Sequence, residues 1–326
     1  MSRIVSTVAA AVLAAISIGS SASAQEYPER NVTFLVPFSP GGGTDVLARM
    51  LAQKLSDKLG KPVIPDNRPG AGTVIAAVAA ANAAPDGYTI MMGTSSTLSI
   101  NQTLYKSLPY NPDKLVPVAV VASVPMILTV NPALPVHSIA DLKAYAKANS
   151  DKLNYGSVGL GSLNHVATET LKRMLDISIT HVPYRGGPAL LADMVGGALQ
   201  VTFIDIGSGA AELIRAGKLR AIGVSSSQRL ASYPEIPPLA EVGLPGYNIS
   251  GSQIVIAPAG TPQPVIAKLN TLLNQAMAEA DVVNQLNLMG YVPLGKLGVA
   301  DMPAFMQSER TRWGGLISAA GVAGAL

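Results

Sequence analysis

From residue 31 onward, short β-branched apolar runs alternate with stretches in which apolar residues recur every three or four positions. That alternation predicts strands interleaved with amphipathic helices, the pattern of parallel α/β sheets flanked by helices. Residues 31–38 (NVTFLVPF) read as a strand, and 45–59 as a helix whose buried face carries Val46, Leu47, Met50, Leu51, Leu55 and Leu59. A short strand at 62–65, a small-residue helix at 72–83 and a strand at 89–93 complete one unit before the polar cluster Thr94, Ser95, Ser96, Thr97. Residues 116–130 are almost continuously apolar and β-rich, and Asn131-Pro132 closes them. A second series follows, with helices at 139–148, 163–175, 188–196 and 210–215 and strands at 153–158, 177–182, 200–206 and 221–224. After a proline-rich stretch, 248–257 is again β-rich and precedes a helix at 264–280.

The two β-rich segments read as a pair of crossings between lobes. The first domain is then discontinuous, 25–125 plus 250–326, with a second domain, 126–249, inserted into it. Two strands joining two α/β lobes make a hinge over a cleft. The alternative, two independent domains in series, leaves too few C-terminal helices to build a domain of their own.

The length of 326 residues with 48% hydrophobic and 13% charged residues supports two cores and excludes a disordered chain. A net charge of +3 and 5% aromatic residues give neither a basic footprint nor stacking platforms, so nucleic acid is not an expected partner. Cysteine is absent, which removes disulfides, thiolate nucleophiles and cysteine-ligated metals. With three histidines, any metal site would lean on carboxylates, and no metal or cofactor is expected. Residues 1–24 carry one early charge, Arg3, an apolar run at 4–18 and a small-residue site at Ala22-Ser23-Ala24. They read as a secretory signal peptide cut after Ala24, because the apolar run falls short of the roughly 20 residues of a membrane anchor. With no cysteine at the cut site for a lipid anchor, the mature chain is expected free in a periplasm.

Ligands in α/β sheets sit beyond the carboxyl ends of strands, so four loops carry the candidate chemistry. In 37–45, Gly41, Gly42 and Gly43 open a helix, where backbone amides and the helix dipole can meet an anion; a tight turn with Asp45 as helix cap is the alternative. In 155–165, Gly159 and Gly161 expose amides, Ser162 or Asn164 caps a helix, and His165 either faces the cleft or packs. Asn164 stands where a dinucleotide fingerprint would need its third glycine. In 183–188, Tyr184, Arg185 and a glycine pair repeat the outline of the first loop, and Arg185 either holds a carboxylate or stays solvated. Asp205, at the end of a strand, either accepts a hydrogen bond from a ligand or caps the next helix. Catalytic signatures such as Gly-x-Ser-x-Gly, His-Glu-x-x-His or Gly-Lys-Ser/Thr are absent.

Seven motifs occur in order: PFSPGGGTD at 37–45, PDNRPGAG at 65–72, PDGYTIMMGTSS at 85–96, YGSVGLGSLNH at 155–165, VPYRGGPALLADMVGG at 182–197, FIDIG at 203–207 and PEIPPLAEVGLPGY at 234–247. Together they resemble the Bug receptors, the periplasmic substrate-binding proteins of tripartite tricarboxylate transporters. The resemblance implies a type II periplasmic-binding-protein fold and a monomeric receptor that captures a small carboxylate and offers it to membrane permease subunits. It further implies ligand contacts from Phe38, Gly41, Gly42 and Gly43, from Thr94, Ser95 and Ser96, and from Gly159, Gly161 and Ser162 with His165 nearby. It places Asp205 where amino-acid-binding relatives meet a ligand ammonium group. The residues do not separate this role from a sensory receptor docking on a membrane sensor, and a secreted hydrolase using His165 or His181 fits them less well.

Overall fold

Two mixed sheets organise the chain in the computed structural model, which describes residues 27–150 and 152–326. The leader expected at 1–24 lies outside the described residues. Strands β1 (Val32–Val36), β2 (Val63–Asn67) and β3 (Thr89–Thr94) lie parallel in the order β2-β1-β3. From β4 (Leu115–Pro125) the chain leaves this sheet, and beyond Met126 it continues as β5 (Ile127–Val130) in a second one. The second sheet adds β6 (Asn154–Ser157), β7 (Thr180–Pro183), β8 (Val201–Ile204) and β9 (Arg220–Val224), in the order β7-β6-β8-β5-β9. The return, β10 (Ser250–Pro258), inserts between β3 and β4, and β11 (Val292–Pro293) lies on the outer side of β4.

The sheets are therefore parallel only within β2-β1-β3 and β7-β6-β8. The expectation of wholly parallel sheets fails at the crossings, because a strand leaving a lobe and a strand returning to it run in opposite directions. β10 is antiparallel to both β3 and β4, and β5 to both β8 and β9. Ser225, fully buried, ties the outgoing and returning chains together. Its Oγ accepts from the Met126 amide at 2.8 Å and donates to the Ile249 carbonyl, while its own amide donates to the Met126 carbonyl.

Helices cover both sheets. α1 (Gly43–Leu59) buries Leu47, Leu51 and Leu55, one face at helical spacing, and stops at Gly60, whose φ of 67° a glycine adopts without strain. α2 (Val74–Ala81) packs its alanines on the opposite face of the first sheet, and after β3 a π-helical turn, Ser96–Ile100, runs into α3 (Asn101–Leu104). The second sheet carries α4 (Ile139–Ala148), α5 (Leu163–Leu175), α6 (Gly187–Gly196) and α7 (Ala210–Arg215). α8 (Gln263–Met277) and α9 (Ala280–Leu288) return to the core that holds α1. The last helix, α10 (Met302–Ala320), belongs to both cores: Met302 and Met306 pack with the first lobe, Trp313 and Ile317 with the second. Of the stretch 250–326 expected in the first lobe, the far end of α10 thus packs with the second core. Its 19 residues span about 28 Å at 1.5 Å per residue, enough to reach across the junction.

The β6–β7 register sets Tyr155 opposite His181, and their rings stack at 4.8 Å. His165, on α5, lies 4.8 Å from His181, and Ser157 Oγ is 2.6 Å from His181 Nε2. Burial lowers the His165 pKa, and burial together with the neighbouring His165 lowers that of His181 to about 4. Above about pH 6.5 both imidazoles are neutral, whether the chain is folded or unfolded, and the stability they allow is fully present. As pH falls from about 6.5 toward 4, the unfolded chain takes up protons that the folded pair resists, and stability is lost. The melting temperature of His181→Gln should therefore fall less steeply than that of the native protein over this window; parallel curves would contradict the assignment. Trp313→Ala, which empties a fully buried site, should cost about 3–5 kcal/mol in denaturant unfolding.

Candidate ligand-binding cleft

A cavity lies where the carboxyl ends of β1 and β3 face those of β6 and β8. The first lobe contributes Phe38, Gly42, Gly43 and Thr44 beyond β1 and Thr94, Ser95 and Ser96 beyond β3. Opposite them stand Val158, Leu163, Asn164, Gly187, Asp205 and Ser208. The crossing strands supply Val124, Met126, Gly251, Ser252 and Gln253, and Tyr291 comes from the turn before β11.

The lobes touch around this cavity. Gly43 donates its amide to Ser208 Oγ at 3.3 Å, Tyr291 its hydroxyl to Asp205 Oδ1 at 2.9 Å, and Ser208 its hydroxyl to Asp205 Oδ2 at 2.6 Å. A Cβ on Gly43 would collide with Asp205 Oδ1 and the Tyr291 hydroxyl, so this approach requires glycine. At the rim, Gly72 (φ 55°) presses against the Leu160 carbonyl and Gly159 (φ 113°) against the Gly72 amide, again leaving no room for a side chain. Burial raises the Asp205 pKa, only partly opposed by the hydrogen bonds from Ser208 and Tyr291.

Among the described residues that line the cavity there is no lysine, arginine or histidine. Attraction for an anion would have to come from backbone. The first turns of α1, α5 and α6 contribute Gly43 and Thr44, Leu163 and Asn164, and Gly187 to the lining. First-turn N–H groups have no partner within their own helix, and the helix dipole adds about half a positive charge at that end. Three such ends can therefore hold an anion without a formal counter-charge. No cluster of three or more acidic or histidine side chains able to hold a metal occurs among the described residues.

Seven of the residues picked out in the sequence meet here: Phe38, Gly42, Gly43, Thr94, Ser95, Ser96 and Asp205. The other eight lie outside the lining, each for a specific reason. Gly41 (φ 82°) gives its amide to Asp45, and buried Asp45 also accepts from Arg49 and Asn67, bracing the loop behind the cavity. Burial would raise the Asp45 pKa, but the hydrogen bonds from Arg49, Gly41 and Asn67 outweigh it and hold the carboxyl low. Gly159 and Gly161 shape the interlobe rim against Gly72 and Asn101. Ser162 is fully buried and caps α5 by accepting from the His165 amide, and His165 Nδ1 faces the Gly161 amide at 3.4 Å. Tyr184 donates to Asp193, and burial followed by that carboxylate pushes its pKa up to about 12. Arg185 is exposed, and its carbonyl accepts from Ser39 Oγ at 3.3 Å.

Several lining residues escaped the sequence reading. Gly251, Ser252 and Gln253 were legible as a polar break in the apolar run SGSQIVIAP, but which way they face depends on the pairing of β10 with β3 and β4. Thr44, Ser208 and Gly187 adjoin residues that were noted. Tyr291 carries no local signal, because it arrives through packing of the segment after α9. The Ser157–His181 contact has the outline of a hydrolytic pair, yet Ser157 is fully buried, exchanges hydrogen bonds with Gly159 and lines no part of the cavity.

The profile described as tripartite tricarboxylate transporter family receptor matches residues 47–322. Protein BugT of Bordetella pertussis is 36% identical over 312 residues, covering 95% of each chain. Among solved structures, Rpa4515 of Rhodopseudomonas palustris with adipate superposes with a TM-score of 0.87 at 36% identity, over 91% of this chain and 99% of that one. The periplasmic binding protein BugD gives 0.86 at 30% identity over 91% and 99%, and MatC of R. palustris with bound malate gives 0.84 at 32% over 89% and 100%. These relatives are binding proteins with the two-lobed fold seen here, not enzymes. The chain belongs to the tripartite tricarboxylate transporter receptor family, the Bug receptors, and is a solute-binding receptor.

Proposed function

We propose that the protein, exported through a leader removed after Ala24, captures a small organic carboxylate in the periplasm by closing its lobes and presents it to membrane permease subunits of a tripartite transporter. The observation that carries this reading is the cavity itself: helix N-termini from both lobes converge on it, with no cationic side chain in its lining. A ligand shifts an open–closed equilibrium only by the contacts it adds in the closed state. A carboxylate held between α1 on one side and α5 and α6 on the other adds such contacts from both lobes. Holding it by dipoles rather than an arginine fork keeps release feasible once the lobes separate. The adipate and malate bound by the two R. palustris relatives are both small dicarboxylates, and the cavity suits that class.

Protein unfolded and refolded to strip carried-over ligand should melt several degrees higher with a saturating small dicarboxylate, adipate or malate among those tested. At about 100 times the dissociation constant the added stability is roughly 2.7 kcal/mol. Folded protein that shifts with no acid of a mono-, di- and tricarboxylate panel would contradict the reading. Gly43→Ala should leave the unliganded melting temperature nearly unchanged while weakening carboxylate binding about 100-fold or more in calorimetry, because the added methyl blocks the approach to Asp205 and Tyr291. Native-like affinity in that variant would show that binding does not need this closed contact.

A further inference from the structure

A second cavity lies behind the strands that join the lobes. Strand alternation separates it from the cleft: Val124, Met126 and Gly251 line the cleft, whereas Ser123, Pro125 and Ser250 line the second cavity. Ser252 and Tyr291 border both, and the second cavity is the roomier of the two. Its walls belong to different lobes. The loop 226–231 packs through Leu230 with the second lobe, while Val292 and Leu294 stand opposite on the first.

Hydrogen bonds locate the bend between the lobes. On the second-lobe side, Ser225 fastens Met126 and Ile249. On the first-lobe side, the Ser252 amide donates to Ser95 Oγ at 2.8 Å, its hydroxyl donates to buried Glu309 at 3.1 Å, and Arg312 donates to the Ser250 carbonyl at 2.9 Å. Two steps are left between these clamps, 125–126 and 249–250, and they lie side by side because Ser250 pairs with Pro125. They define an axis with the cleft on one side and the second cavity on the other. α10, packed on both cores, can stay packed through a rotation if it runs beside the axis, where displacements are smallest. Glu309 and Arg312, which border the second cavity, put it there.

Rotation about such an axis moves the two sides in opposite senses. Opening the cleft brings 226–231 toward 292–294 and takes up the space behind the strands, and closing the cleft restores that space. We propose that the second cavity is the clearance the lobes need in order to open, so that the bulk of the side chains lining it sets how tightly the receptor holds its ligand. The proposal rests on lobe closure in the receptor reading and goes beyond it, placing control of affinity at residues that never touch the ligand.

Ala231 and Val292 are exposed on opposite walls of the second cavity, and either can be enlarged without removing a hydrogen-bonded side chain. Ala231→Trp and Val292→Trp should each bind a small dicarboxylate about tenfold tighter than native protein in calorimetry, because apparent affinity scales with the closed fraction of the unliganded protein. By small-angle scattering without ligand, each should have a smaller radius of gyration than native protein. Val195→Trp adds the same ring at an exposed position of α6 that lines neither cavity, and it should match native protein in both measurements. The two cavity variants are read independently, so if one does not fold the other decides. Native-like affinity and radius in the folded cavity variants, while native protein contracts with ligand, would overturn the proposal and leave the receptor reading intact. Native protein that binds an acid without contracting would remove lobe closure and this proposal with it. Should no acid bind, the receptor reading fails, and the unliganded radii still decide whether the second cavity governs opening.

Discussion

The contact on which the rest of the structure depends is the approach of Gly43, at the N-terminus of α1, to the Asp205–Ser208 turn of the other lobe. Only a residue without a Cβ permits it. Once made, it brings the first turn of α1 opposite those of α5 and α6 and closes Tyr291 over Asp205. The cavity is the space left inside that contact, so its shape and chemistry are properties of the two lobes together rather than of either lobe alone.

If the cleft takes a carboxylate as proposed, an acidic side chain inside it would be self-defeating were it fully charged and open to the ligand. Here burial raises the Asp205 pKa, and the hydroxyls of Ser208 and Tyr291 cover its oxygens. Asp205 thus acts as a latch between lobes. On the proposed reading the cleft relies on peptide dipoles, each weak in water but stronger where solvent is excluded. Arg185, attractive in sequence as a carboxylate partner, stays at the surface. On the proposed reading, a guanidinium in the cleft would hold the anion more tightly than release requires.

Much of this architecture was legible in the order of apolar runs. The stretch 116–130 was readable as a crossing because it is too long and too apolar for one lobe's strand, and Pro125 marks the place where β4 gives way to β5. The glycine loops were also visible, but glycine reports only that backbone must come close to something. At Gly42 that something is the cavity, at Gly43 it is both the cavity and Asp205 of the other lobe, and at Gly159 and Gly161 it is the opposite lobe alone. Sequence could not separate the two, since the difference lies in contacts between residues about 60 or more positions apart. Tyr291, Gln253 and the split allegiance of α10 were hidden for the same reason.

Small-angle scattering from stripped protein, with and without a saturating small dicarboxylate such as adipate or malate, tests most directly whether this closed form is the ligand-bound state. The account predicts a smaller radius of gyration with ligand and a liganded curve that the closed structure fits. Calorimetrically verified binding without any change in the curve would contradict it.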